Sequence, residues 1–230
     1  MKEKYTPATL PYHLIVPSLP GYSFSSTPPL DRDFTTKDMA GVMHQLLLDL
    51  GFGDGYIAQG GDIGSRVAKL LGEYESCKGP SVFASSPPSV HLFLRLTRQN
   101  TAVHVNFAPR LSLSPPDGMS IDSLSPYEKA GIERGEDFMK FGSAYALEHA
   151  TRPATIGIAL GSSPLALLAW IGEKFLVWSD VDPSLETILE SVTLYWFTES
   201  MGRGIFPYRG VSVSSCYIEG ASSVSVEQAS

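Results

Sequence analysis

An acidic residue stands among small ones at Gly60-Gly61-Asp62-Ile63-Gly64, where a short apolar stretch, Tyr56-Ile57-Ala58, gives way to a helix-forming one. Glycines on both sides permit a sharp strand-to-helix turn with strained dihedrals, which lifts the central side chain off the sheet. A serine on such an elbow attacks acyl carbon. A carboxylate attacks saturated carbon instead, opening an epoxide or displacing a halide, and leaves an ester that a His-activated water must hydrolyse. The start of the following helix favours an ionised carboxylate at Asp62. The backbone N–H of Ile63 would point where an oxyanion develops. A plainer reading is equally open: Asp is a favoured N-cap, and Asp62 would then only cap the helix after it.

The elements around this turn alternate. Residues 13–16 (HLIV) are an apolar run of strand length, closed by the turn-rich Pro17-Ser18-Leu19-Pro20-Gly21-Tyr22. Met39, Val42, Met43, Leu46, Leu47 and Leu50 recur on one helix face, predicting a helix over 36–50 that Gly51 and Gly53 stop. A strand from 56, the elbow, and a helix over about 65–75 follow. This is the pattern of a parallel α/β sheet. Residues 79–101, with Pro87-Pro88 and many serines, form an irregular insert, and 102–107 (AVHVNF) read as a strand. Beyond a linker at 110–118 the chain turns helical. Ser125-Pro126, Ser163-Pro164 and Asp182-Pro183 each look like an N-cap followed by Pro at the first helical position. In the last helix Leu185, Ile188, Leu189, Val192, Tyr195 and Trp196 share an apolar face. The expected organisation is therefore a partial α/β core over 1–110 carrying the elbow and the 79–101 insert, a helical cap over 111–209, and a divergent tail over 210–230.

Composition narrows the partners. The chain has 230 residues, 43% hydrophobic and 18% charged, and a net charge of −7. It is long enough to bury a core and too apolar to be disordered. Its acidity argues against nucleic acid as a partner. No apolar run reaches the roughly 18 residues of a membrane span. The N-terminal residues lack an apolar signal region. Two cysteines, Cys77 and Cys216, make neither a disulfide framework nor a zinc site, so a reducing, cytoplasmic setting is expected.

Longer motifs sharpen the reading. They are residues 17–25 (PSLPGYSFS), Leu50-Gly51-Phe52, residues 59–65 (QGGDIGS), Ser123-Leu124-Ser125, residues 148–153 (EHATRP), Ser163-Pro164, residues 168–174 (LAWIGEK) and Tyr195-Trp196. Together they resemble the fungal and microsomal-type epoxide hydrolases of the α/β-hydrolase superfamily, over roughly residues 11–209. The resemblance implies a partial α/β-hydrolase sheet with a helical lid and a hydrolase that adds water to an epoxide to give a vicinal diol, with no cofactor and no metal. It implies Asp62 as nucleophile and Ile63 as an oxyanion donor. Two lid tyrosines that hold the epoxide oxygen and donate a proton match Tyr145, in residues 143–149 (SAYALEH), and Tyr208, in Phe206-Pro207-Tyr208-Arg209. A phenol suits that task, since an opened epoxide oxygen leaves poorly unless hydrogen-bonded or protonated. Trp170, Phe175, Trp178 and Trp196 make the lid apolar, so the expected partner is an apolar small-molecule epoxide; a homodimer is compatible. Relatives of this kind serve in detoxification or in secondary metabolism.

The pattern also departs from the family. No His-Gly-x-Pro motif precedes residue 13, and none of the five histidines (His13, His44, His91, His104, His149) occupies the place of the water-activating base. The resemblance therefore implies a chain truncated at both ends, with 79–101 interrupting it as a retained intron would. A nucleophile without its base would form the ester and release it slowly. Two other outcomes stay open. One is a haloalkane dehalogenase-like enzyme, against which the paired tyrosines weigh. The other is an inactive pseudoenzyme or small-molecule binding protein.

Overall fold

Capping chemistry sets most of the helix boundaries. Thr35 opens α1 (Thr36–Asp49) with a capping box, in which its N–H donates to Asp38 Oδ2 at 2.8 Å. Arg32 pairs with the same carboxylate at 2.9 Å, and these donors together hold the Asp38 carboxyl at about 2. Ser125 repeats the device with Glu128 at the start of α3 (Pro126–Asp137), and Ser163 caps α6 (Pro164–Val177). Both Ser-Pro pairs thus sit where the sequence puts them. Asp182-Pro183 does not. The cap of α7 (Leu185–Phe197) is Ser184, whose hydroxyl accepts from the Thr187 N–H, so Pro183 stays outside the helix.

The structure is a computed structural model and describes residues 5–74, 103–106 and 120–210. The insert at 79–101, the tail beyond Gly210, and Cys77, His91 and Cys216 lie outside the described residues. In the first part, β1 (Ala58–Gly60) runs through the elbow into α2 (Ile63–Leu71). β1 pairs in parallel with β2 (Val103–Val105), Ala58 opposite Val103 and Gly60 opposite Val105. The helix α2 starts two residues before the 65–75 reading because the elbow enters it directly. Residues 13–16 form no strand. Leu14 and Val16 are 65% and 81% exposed, and the segment has no ladder partner among the described residues. Apolar composition favours a strand only where a neighbour takes its N–H and C=O groups. Against β1 and β2, α1 and α2 bury Met39, Met43, Val67 and Leu71 in one core with Phe34. Val42 and Leu50, expected on that face, remain about half exposed.

The second part is helical. After α3 comes a π-helical turn, Phe138–Gly142, and then α4 (Ala144–Thr151), α5 (Pro153–Gly161), α6, α7, the short α8 (Met201–Gly204) and a 3₁₀ turn at Phe206–Gly210. Its buried cluster is separate: Leu160, Leu167, Ile188, Val192, Met201 and Ile205, with Trp170, Phe175, Tyr195 and Trp196 packed on it. Leu185 and Leu189, read as part of the α7 inner face, are on its outer side. No single helix among the described residues is long and apolar enough to cross a membrane.

Candidate active site

The turn at Asp62 is strained. Its φ of 49° and ψ of −122° lie where a side chain is rarely found. Two glycines make the turn passable. A Cβ on Gly60 would stand 2.0 Å from the Gly64 carbonyl oxygen, and one on Gly61 would stand 2.5 Å from Asn106 Oδ1. Only a bare backbone lets strand, turn and helix approach that closely. Ser65, 2% exposed, ties the turn together by donating its hydroxyl to the Gly60 carbonyl at 3.1 Å.

Asp62 occupies the N-cap position of α2, yet its side chain makes no capping hydrogen bond. The carboxylate is exposed. The plainer sequence reading, in which Asp62 serves the helix, therefore loses its support. The Asp62 charge is felt by a set of phenols. Burial pushes the Tyr22, Tyr195 and Tyr208 hydroxyls up from their ordinary value, and the Asp62 charge adds to the shift in each. These phenols remain protonated donors at neutral pH.

Tyr145 (α4) and Tyr208 (3₁₀ turn) meet across the cap. Their ring centroids are 6.2 Å apart and nearly perpendicular, and a side-chain hydrogen bond with Tyr145 is one more cause that raises Tyr208. The pair that the sequence picks out is thus brought together, and Tyr208 is brought under the influence of Asp62. Around the pair stand Trp178, 5.1 Å from Tyr145, and His149, 4.8 Å from Tyr208. Lys174 lies over Trp170 at 4.3 Å and over Tyr145 at 5.6 Å. His149 is 4% exposed and neither ring nitrogen has a partner. Burial, then the Lys174 charge, push its imidazole down to about 4. Other described histidines are occupied elsewhere: His44 bonds Tyr56 at 2.9 Å and stacks on Tyr74, and His13 lies against Phe52. No cluster of three metal-ligating side chains occurs among the described residues.

Tyr22 and Tyr195 escape the sequence reading as site residues. Tyr195 fits the apolar face of α7 and is indistinguishable there from a core tyrosine. Tyr22 carries a weak signal, since a tyrosine following a Pro-Gly turn brings a polar hydroxyl that needs a partner once buried.

A carboxylate on a parallel-sheet elbow, under a helical cap that presents phenols, is the arrangement of a partial α/β-hydrolase fold with a lid. No family model matches the chain. A Dothistroma septosporum protein, provisionally named an epoxide hydrolase, is 45% identical over 91% of this chain, which spans 44% of that relative. The solved Aspergillus niger epoxide hydrolase superposes with a TM-score of 0.76 at 53% identity, over 94% of this chain and 51% of that one. An enantioselective directed-evolution variant of the A. niger enzyme gives the same TM-score at 56% identity, over 90% and 48%. By sequence and by fold the chain belongs to the epoxide hydrolase family, and it spans about half the length of the relatives it matches.

Proposed function

We propose that this chain carries the nucleophile and the proton donors of an epoxide hydrolase site. An Asp62 oxygen attacks one ring carbon of an apolar epoxide, and the C–O bond of the ring breaks as the ester bond forms. The departing oxygen takes a proton through the Tyr145–Tyr208 pair, giving a hydroxy-ester on Asp62. Water then adds to the ester carbonyl, with the Ile63 N–H steadying the oxyanion, and releases a vicinal diol and the free carboxylate, the proton that the water loses restoring the phenol. Two phenols holding one oxygen suit an epoxide better than a halide. The observation that carries this reading is the uncapped Asp62 side chain at a positive-φ turn, in a chain whose cap brings Tyr145 and Tyr208 together with ring centroids 6.2 Å apart.

The hydrolytic half needs a base; His44 is bonded to Tyr56, and His149 is buried with neither ring nitrogen partnered. Without an activated water the ester accumulates, and that stalled state is the one to look for. Incubation with styrene oxide followed by intact-mass and peptide analysis tests this. The expected result is one adduct on Asp62, absent from Asp62→Ala and reduced in Tyr145→Phe and Tyr208→Phe. Steady diol formation over many turnovers would show that a base is in place after all. No adduct at any epoxide concentration would overturn the reading.

A further inference from the structure

Three non-glycine residues among the described ones have positive φ: Ser23 at 45°, Asp62 at 49° and Glu199 at 50°. Asp62 is the elbow. The other two flank one guanidinium. Arg203, on α8, donates from Nη2 to the Ser23 carbonyl at 2.8 Å and to the Thr198 carbonyl at 2.8 Å, and from Nη1 to the Ser25 carbonyl. Its Nε reaches the Glu199 carbonyl at 3.4 Å. Two strained turns, one from each part of the chain, thus offer their carbonyls to one side chain.

The backbones around it touch. Gly21 has a φ of 88°, and a Cβ there would stand 2.7 Å from the Arg203 carbonyl oxygen. A Cβ on Gly204 would meet the Tyr22 ring at 3.2 Å, so that ring lies against the α8 backbone. Tyr22 stands one residue before Ser23. Arg203 lies between Tyr195 at the end of α7 and Tyr208 in the 3₁₀ turn. These are the three phenols on which the Asp62 charge acts.

We infer that Arg203 is a positioning residue for the reaction, locking the Tyr22 loop to the α7–α8 turn and so fixing where Tyr22, Tyr195 and Tyr208 stand relative to one another. The inference rests on the epoxide-opening role of Asp62. Its chemistry is that of a fork. Among the described residues its hydrogen-bond partners are all neutral carbonyls; planar, divergent N–H donors hold two loops at once, which a lysine ammonium does not reproduce. Misplacement of a donor by about 1 Å costs on the order of a hundredfold in rate.

The test uses the full chain with 3-fluorotyrosine incorporated, the Tyr22, Tyr195 and Tyr208 signals being assigned from single Tyr→Phe variants. Wild type, Arg203→Lys and Arg203→Gln are compared by fluorine NMR and by the rate of Asp62 alkylation with styrene oxide. The expected result is that these three signals shift or merge while the remaining tyrosines stay put. Alkylation should slow at least about tenfold in the lysine variant and further in the glutamine variant. Lower stability with unchanged signals and unchanged rate in the folded fraction would reduce Arg203 to a structural residue and overturn the inference. If Arg203→Gln does not fold, the lysine variant decides alone. If wild type forms no adduct, the epoxide reading fails, and the fluorine signals still decide whether Arg203 sets the phenols.

Discussion

The two parts of the chain position their reactive groups by opposite means. In the α/β part the carboxylate is held by backbone: a positive-φ turn at Asp62, glycines that admit no Cβ, and a single buried hydroxyl, Ser65, closing the turn. In the cap the phenols Tyr145 and Tyr208 are held by side chains: aromatic rings edge-on to one another around His149. A nucleophile needs one direction of approach, which a strained turn supplies. Proton donors need burial and a fixed spacing, which packing supplies. The parts should therefore respond differently to the same kind of change.

The largest effect is expected at Gly60. An alanine there would place its Cβ 2.0 Å from the Gly64 carbonyl oxygen, a backbone atom that cannot move without unwinding the first turn of α2. Gly60→Ala should cost more than about 4 kcal/mol, at the upper end for single substitutions. Urea unfolding would read this directly, and a cost below about 1 kcal/mol would mean the elbow is looser than its geometry. In the cap, acid is the sharper probe. The folded chain keeps His149 neutral, with its pKa near 4 against an ordinary 6.5. The unfolded chain then binds the proton first as pH falls. The stability tied to His149 is thus fully present above about pH 6.5, declines towards about pH 4, and changes no further below that. The span corresponds to roughly 3 kcal/mol at 1.36 kcal/mol per pKa unit. The ring stands against Tyr145, Tyr208 and Trp170 and feels the Lys174 charge, which opposes its protonation. His149→Phe should flatten stability over this window. An unchanged acid dependence in that variant would assign it to other groups.

This contrast explains which features the sequence discloses. The elbow is legible because Gly-Gly-Asp-Ile-Gly is a local necessity: the residues that permit the turn are the turn's own neighbours. Ser125-Pro126 and Ser163-Pro164 are legible for the same reason, a cap and its helix being adjacent. Asp182-Pro183 misleads because Ser184 offers an alternative capping oxygen two residues later, and local preference alone does not rank the two. Residues 13–16 mislead because a strand is completed by its partner, and none is paired with it among the described residues. Tyr145 and Tyr208 come from family motifs rather than from spacing. Tyr22 carries only the weak signal of its Pro-Gly turn, and Arg203 has no local signature. The acceptors of Arg203 at Ser23 and Ser25 lie 180 and 178 residues away, and such a contact exists only once the two parts have met.

Smaller effects separate strain from packing more finely. Asp62→Gly removes the side chain from a conformation costing of order 1–3 kcal/mol, while glycine loses about 0.5–1 kcal/mol more backbone freedom on folding. The variant should be more stable than Asp62→Ala by about 1 kcal/mol in urea, and both should be unreactive to styrene oxide. If the alanine variant is the more stable, the elbow stores no strain.

The cap counterpart is Gly172, inside α6. A Cβ there would meet Ile188 Cγ2 at 3.7 Å and Leu168 Cδ1 at 3.8 Å, ordinary contact distances in a buried seam between α6 and α7. Alanine is the better helix former, and the new methyl group would add contact without displacing a neighbour. Gly172→Ala should therefore stabilise the chain by roughly 0.5–1 kcal/mol, opposite in sign to Gly60→Ala although the substitution is the same. A loss of more than about 1 kcal/mol would place the cap under the tight steric control inferred for the elbow, and the division between a strained backbone and an accommodating helical seam would not stand.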